Sequence, residues 1–383
     1  MRVVIAPDSF KESLPAIDVA SAIADGVKRV SSELEIDCVP MADGGEGTVD
    51  AIVSATGGEF VHASVSDPLG RPIRAKFGLT GDGRTAVMEM AAASGLQLLT
   101  EQERDPLVTS TFGTGQLILA AVERGVEEII LGIGGSATVD GGAGMAQALG
   151  LKFKDDKGSE IGPGGAELLR IAAVDASALE PRLKEMRVKV ACDVTNPLLG
   201  PEGAAAVYAP QKGALPADVG TLERALNNLA DIAHRELNVG LDSFPGSGAA
   251  GGLGGGLAGF LGAELVPGVQ LVIETVKLSE RIKGADLVFT GEGRLDNQSA
   301  FGKTPLGVAE TAAGLGVPVI ALVGELGDGW KEITGKGLTA ALSIVSSPMS
   351  LETAKQETRS LLADTAEQVL RIWLSGSRGK SQC

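Results

Sequence analysis

Residues 290–305 read TGEGRLDNQSAFGKTP and gather Glu292, Arg294, Asp296, Ser299 and Lys303 in one glycine-rich stretch. Its Gly302-Lys303-Thr304 has the lettering that ends a nucleotide-binding P-loop. A P-loop also needs a glycine five positions before Gly302, where this chain has Asn297, so a triphosphate cannot be wrapped in that way. Thr304-Pro305 reads instead as a helix start, with Thr as N-cap and Pro in the first turn. Lys303 would then stand at the positive end of a helix, where a phosphate or carboxylate is favoured. Two other loops have the same mixed chemistry. Pro7–Ser13 carries Asp8, Ser9, Lys11 and Glu12, and Ala42–Gly47 carries Asp43 and Glu46. The carboxylates could hold a hard cation or take a proton, and the cations could meet an anion. Capping is the ordinary use of one such loop, but three together favour a site for Mg²⁺ and phosphate.

The middle of the chain adds four more groups. Gly132-Ile133-Gly134-Gly135-Ser136-Ala137 follows an apolar run and has the letters of a dinucleotide fingerprint. No clear acidic residue closes a following strand, so a backbone-amide nest for phosphate at Gly134, Gly135 and Ser136 is preferred, with simple turn geometry as the other option. Asp193 and Asn196 follow a strand and could ligate metal or substrate, or could close an Asx turn. Lys212, in Pro210-Gln211-Lys212-Gly213, is a loop cation that could equally be solvated. Gly251 and Gly252 lie in a glycine-dense run over 246–262, readable as an anion nest or a tight helix contact. His62 and His234 are far from any carboxylate cluster and read as structural, and without HExxH or paired Cys/His spacing a zinc site is disfavoured. No G-x-S-x-G elbow is present.

The elements that position these loops alternate. Strand-like segments at 3–6, 36–40, 286–290, 317–323 and 340–345 alternate with helical patterns, including one from about Ser13 (with Ser13 as N-cap), one over 270–282 and one over 304–314. The final helix shows a stripe of Leu351, Ala354, Leu361, Leu362, Ala366, Val369 and Trp373. This is the pattern of an α/β protein with a doubly wound five-stranded parallel sheet. From 59 to 90 the rhythm changes to a three-stranded meander over 59–66, 72–78 and 85–90. Helices at 114–124, 141–149 and 221–237 and strands at 127–133 and 188–192 follow. The expected organisation is therefore a discontinuous domain, 1–58 plus 269–383, with a second α/β domain, 59–268, inserted into it. Ligands in such sheets collect at the carboxyl ends of the strands, so the loops should share a cleft between the domains.

Composition narrows the class. The 383-residue chain is 44% hydrophobic and 21% charged, with a net charge of −16 and only 3% aromatic residues. That balance repels nucleic acid and anionic lipid and offers few stacking platforms. No window approaches the roughly 18 apolar residues of a membrane helix, no leader pattern precedes the first strand, and three scattered cysteines suit a reducing compartment. The expectation is a cytoplasmic enzyme of a small molecule, with no nucleic-acid or membrane partner. A homodimer is among the assemblies left open.

Taken in order along nearly the whole chain, Asp8-Ser9-Phe10-Lys11-Glu12-Ser13, Ala42-Asp43-Gly44-Gly45-Glu46-Gly47-Thr48, Gly132–Thr138, Pro210–Ala214 and Thr290–Asp296 resemble the bacterial glycerate kinases of the first family. Two departures are Val139, where the family usually has Asn, and Tyr208-Ala209, where Phe-Gly is common. The resemblance implies a flavodoxin-like domain interrupted by a second α/β domain. It also implies ATP-dependent phosphorylation of D-glycerate, usually at the 2-hydroxyl. Phosphoryl transfer needs Mg²⁺, cations against the phosphates and a carboxylate near the attacking hydroxyl. The expected catalytic group is Asp43, Asp296, Lys11 and Asp193, with Glu46 and Glu292 for the metal. Asp8, Ser9, Gly134, Gly135, Ser136, Asn196, Lys212, Gly251, Gly252, Arg294, Ser299 and Lys303 are the expected substrate and nucleotide contacts. Two rivals remain: a nicotinamide-dependent oxidoreductase of a small hydroxy acid, resting on Gly132–Ala137, and a non-catalytic sensor of small acids.

Overall fold

The computed structural model describes residues 1–297 and 303–378. The chain forms two compact units, one made of Met1–Asp43, Asp50–Gly57 and Val269–Cys383, the other of Gly44–Val49 and Gly58–Gly268.

The first unit is built on five parallel strands in the spatial order Ala340–Ser343, Val319–Leu326, Leu287–Leu295, Arg2–Ile5, Glu35–Cys38. Numbered along the chain this is the 2-1-3-4-5 order of flavodoxin-like sheets, whose switch point lies between the first and third strands. Alternate strand positions face opposite sides. Val3, Ile5, Leu287, Phe289 and Leu322 pack under helices Ala16–Val30 and Leu351–Arg378, and the intervening Val4, Val288, Ala321 and Val323 are buried as well. Both faces are thus covered, which is why these strands read as continuous apolar runs. The helix Thr304–Ala313 packs against Leu287–Leu295 and Val319–Leu326.

The Ala16–Val30 and Leu351–Arg378 helices cross closely because position 26 has no side chain. A Cβ on Gly26 would lie 2.1 Å from the Ala363 carbonyl oxygen. Gly26→Ala gains up to about 1 kcal/mol of helix propensity but forces the helices apart, at a cost of about 1–3 kcal/mol. A lower thermal midpoint is expected; a midpoint at or above wild type would show that the crossing can relax.

The second unit carries a six-stranded sheet, in order Glu264–Val266, Arg187–Ala191, Glu128–Gly132, Thr85–Glu89, Pro72–Leu79, Glu59–Ser66. The first four are mutually parallel and Pro72–Leu79 runs antiparallel to both of its neighbours, so the meander expected at 59–90 forms one edge of a mixed sheet. Helices Phe112–Glu123 and Pro216–Leu237 share its core with Met88, Leu131 and Val190. No described helix is long and apolar enough to cross a membrane.

Several boundaries differ from the sequence reading, each for a physical reason. The first helix begins at Ala16 with Pro15 as its cap residue, and the Ser13 hydroxyl donates to the Lys355 carbonyl rather than capping. The segment 270–282 is two helices, Gly268–Thr275 and Leu278–Ile282, broken at Lys277 with φ of 53°. The 221–237 helix starts earlier, at Pro216, where the Asp218 carboxylate accepts from the Leu215 N–H. Leu351, expected on the apolar stripe, is exposed. The strand expected to end at 290 continues to Leu295 because its backbone keeps pairing with Val319–Leu326.

Candidate active site

That strand extension decides the chemistry of the first unit. Glu292 and Arg294 are two apart on a strand and project to one side, while Gly291 and Gly293 face the other. A Cβ on Gly291 would sit 2.0 Å from the Leu322 carbonyl oxygen, so glycine is needed there. The neighbouring Arg2–Ile5 strand is prolonged in the same way. The Asp8 N–H donates to the Gly291 carbonyl (2.8 Å), and the Met41 N–H donates to the Pro7 carbonyl (2.9 Å). Backbone pairing thus carries Asp8 and Glu292 to the carboxyl edge of the sheet at its switch point, with Asp43 just beyond.

These residues share one cavity of about 560 Å³, within the size range of small-molecule sites. Asp8, Ser9, Lys11, Asp43, Glu292, Arg294 and Lys303 all line it. Asp8 is held through both of its carboxylate oxygens. Its Oδ1 accepts from the Ser9 N–H (2.6 Å) and its Oδ2 from the Thr304 hydroxyl. Burial pushes the Asp8 carboxyl up to about 6; the Thr304 bond opposes that rise and the nearby Asp43 carboxylate adds to it. Glu292 is buried, with the Lys303 ammonium 3.9 Å from its Oε2. Arg294 lies 3.1 Å from Asp296 and 3.7 Å from Glu325.

Thr304 was expected to cap the 304–313 helix. It is the first helical residue instead, Lys303 holds the cap position and Pro305 follows, because the Thr304 hydroxyl is engaged by Asp8. Lys303 still stands at the helix's positive end. The expected contact at Ser299 lies outside the described residues. Asp296 does not line the cavity; it pairs with Arg294 past the end of the strand.

Among the described residues no three His, Cys, Asp or Glu side chains lie close enough to cage a metal ion. The oxygen donors of Asp43 and Glu292 facing one cavity suit Mg²⁺, which takes one or two carboxylates and completes its shell with water and substrate phosphate. The adjacent cations suit phosphate.

The remaining expected contacts belong to the second unit. Glu46 is exposed in the Gly44–Gly47 turn. Asp193 Oδ1 accepts from the Gly268 N–H at 2.9 Å. The Asn196 amide is engaged locally, donating to the Glu202 carbonyl and accepting from the Tyr208 hydroxyl. Gly251 and Gly252 serve close packing: a Cβ on either would meet Thr138 O at 2.0 Å or Gly141 Cα at 2.9 Å. Gly134 and Gly135 are exposed, and Ser136 is buried next to them. Lys212 was expected to reach phosphate from a loop. It is fully buried, and its Nζ donates to Ser136 Oγ (2.6 Å) and Thr138 O (2.7 Å). The dinucleotide lettering of Gly132–Ala137 lacks its required setting. A fingerprint opens a helix directly, whereas here the next helix is the short Ala143–Ala148 beyond a separate turn. Val139 is buried in the core.

Sequence reasoning missed the Thr304–Asp8 bond and the contributions of Glu325 and Lys355 to the cavity wall. Only the Asp8 motif itself gave a local signal.

Comparison with known proteins agrees with this architecture. A model described as the glycerate kinase family matches residues 3–374. The chain is 51% identical to a glycerate kinase of Halalkalibacterium halodurans, over 96% of this chain and 97% of that one. It is 49% identical to a glycerate 2-kinase of Escherichia coli K12, over 92% and 93% of the two chains. A crystal structure assigned as glycerate kinase 2 from Salmonella typhimurium LT2 superposes with a TM-score of 0.91 at 46% identity, covering 99% of both chains. With its sheet order, its cavity and these matches in agreement, the chain belongs to the glycerate kinase family.

Proposed function

We propose that the chain transfers the γ-phosphoryl group of ATP to the 2-hydroxyl of D-glycerate, with Mg²⁺, giving 2-phosphoglycerate and ADP. The observation that carries this is the convergence of Asp8, Asp43, Glu292, Lys11, Arg294 and Lys303 on one cavity at the sheet's switch point. The choice of the 2-hydroxyl draws on the likeness to the E. coli glycerate 2-kinase.

In this reading Asp43 and Glu292 would hold Mg²⁺, which would supply positive charge to offset that of the phosphates. Lys11 and Lys303 neutralise charge on the transferring group, and Arg294 can take a carboxylate or phosphate in bidentate fashion. Asp8 is the base. Thr304 and Ser9 fix its carboxylate, and a group that titrates near 6 can accept a proton at neutral pH. As the glycerate oxygen bonds to the γ-phosphorus, its proton passes to Asp8, the bond from that phosphorus to the bridging oxygen breaks, and ADP leaves.

The test is direct. Protein, Mg²⁺-ATP and D-glycerate should release ADP, and the phosphorus resonance of the product should be split into a doublet by one methine proton. A triplet from a methylene would place the phosphate on the 3-hydroxyl, and absence of ADP release would overturn the reading.

A further inference from the structure

In the second unit, Ser136 and Lys212 have a geometry that the phosphoryl-transfer reading does not use. Lys212 Nζ lies 2.6 Å from Ser136 Oγ and 2.7 Å from Thr138 O. Its side chain is enclosed, and both contacts are to protein. A neutral amine has two hydrogens, and two acceptors are in place. An ammonium would have a third hydrogen that no described residue accepts. Burial lowers the Lys212 ammonium to about 7, opposed by the charge of Asp140. Among the described residues Asp140 is the charged group acting on it; the Arg104 backbone packs on the adjoining Gly213. Asp140 is itself held in place by N–H groups of Thr111, Gly142 and Gly144 and by the Thr111 hydroxyl.

The serine sits on a fixed turn. Leu96 N–H donates to Gly135 O (2.8 Å) and Ala137 N–H to Ser94 O (2.9 Å), while Gly135 adopts a φ of 71°. None of the hydrogen bonds among the described residues uses the N–H of Gly134, Gly135 or Ser136. Gly134 and Gly135 are exposed and stand next to a buried serine that touches a buried amine. A nucleophile in hydrogen-bond reach of a base, a third group orienting that base and free amides for a developing oxyanion are the parts of an acyl-transfer site.

We propose that Ser136 is a nucleophile activated by Lys212, able to accept an acyl group from small activated esters. In the step, Ser136 Oγ bonds to the ester carbonyl carbon and its proton passes to Lys212 Nζ, after a rotation that turns the amine lone pair on to the hydroxyl. The carbon–oxygen bond to the leaving group then breaks, and that group departs as alkoxide or phenoxide. The amides of Gly134–Ser136 receive the oxyanion. This inference is independent of the kinase reading.

The probe is p-nitrophenyl acetate on the intact protein, read as a burst of p-nitrophenol and by mass mapping of the acetyl group. Acetylation of Ser136 is expected, its rate rising about tenfold per pH unit below about 7 and levelling above, as Lys212 loses its proton. Ser136→Ala should abolish the burst, and Lys212→Met should slow it about 10²-fold, the low end of a general base's contribution. Lys212→Arg, which keeps a charge but cannot act as a base, should be as slow. If Lys212→Met does not fold, the wild-type pH profile reads the same dependence. Acetyl groups only on surface amines, or a Lys212→Met burst at wild-type rate, would overturn the proposal.

Discussion

Asp8→Asn is expected to lower turnover by about 10²–10⁴-fold, the usual contribution of a general base. The carboxylate is held by Thr304 and Ser9, and asparagine keeps that shape while removing the proton acceptor. The pH dependence gives a second readout. Burial raises the Asp8 carboxyl to about 6, so it is protonated and inert below that pH and ionised above it. Wild-type kcat/KM, which reports ionisations of the free enzyme, should therefore rise with pH through about 6 and then level. In Asp8→Asn this acid limb should disappear from the residual activity. In Asp43→Asn a nearby negative charge is gone, and the limb should move to lower pH. An acid limb unchanged in Asp8→Asn would assign the proton acceptor elsewhere, with Asp296, two residues beyond Arg294, as the next carboxylate to test.

The residues that are easiest to read in the sequence are those whose role is set by local chain geometry. Alternating apolar strands and helices announce the five-stranded sheet, and the loops after its first strands announce Asp8, Lys11 and Asp43, because a parallel sheet sends every such loop to one edge. What was not legible depends on partners distant in sequence. Glu292 and Arg294 lie on a strand rather than a loop only because residues 319–326 are there to pair with them. Thr304 has the letters of a cap, but its hydroxyl meets a carboxylate 296 positions away in the chain. Ser13 is drawn to Lys355 in the same manner. Lys212 shows the limit most clearly. A lysine before glycine in a short loop usually reads as solvated, and nothing local says that Ser136 and Thr138 will enclose it. Asn196 likewise offered itself to a ligand until Tyr208 and Glu202 were seen to satisfy its amide. Periodicity reports which side of an element is buried, but not which polar groups will face each other inside.

Lys212 should also imprint itself on stability. Unfolded, the side chain titrates near its ordinary 10.5; folded, burial brings it to about 7. Between those values the unfolded chain binds one more proton than the folded one, so the free energy of unfolding rises with pH. Below about 7 both states are protonated and the full cost of a buried ammonium is present, with no further pH dependence from this group. From pH 7 to 9 the rise should be about 2 kcal/mol, since each unit of pKa difference corresponds to about 1.4 kcal/mol. Lys212→Met removes this term while keeping an apolar chain of similar length. Subtracting its unfolding profile from that of wild type cancels the contributions of the groups that the two proteins share. The difference should climb by about 2 kcal/mol over that interval in favour of wild type. Asp140 is held by the N–H groups of Thr111, Gly142 and Gly144, so its own contribution is common to the two profiles. Parallel profiles for the two proteins would mean that Lys212 stays charged in the folded state. The same finding would also remove the base from the Ser136 pair, so equilibrium unfolding and acetylation test one charge state by unrelated routes.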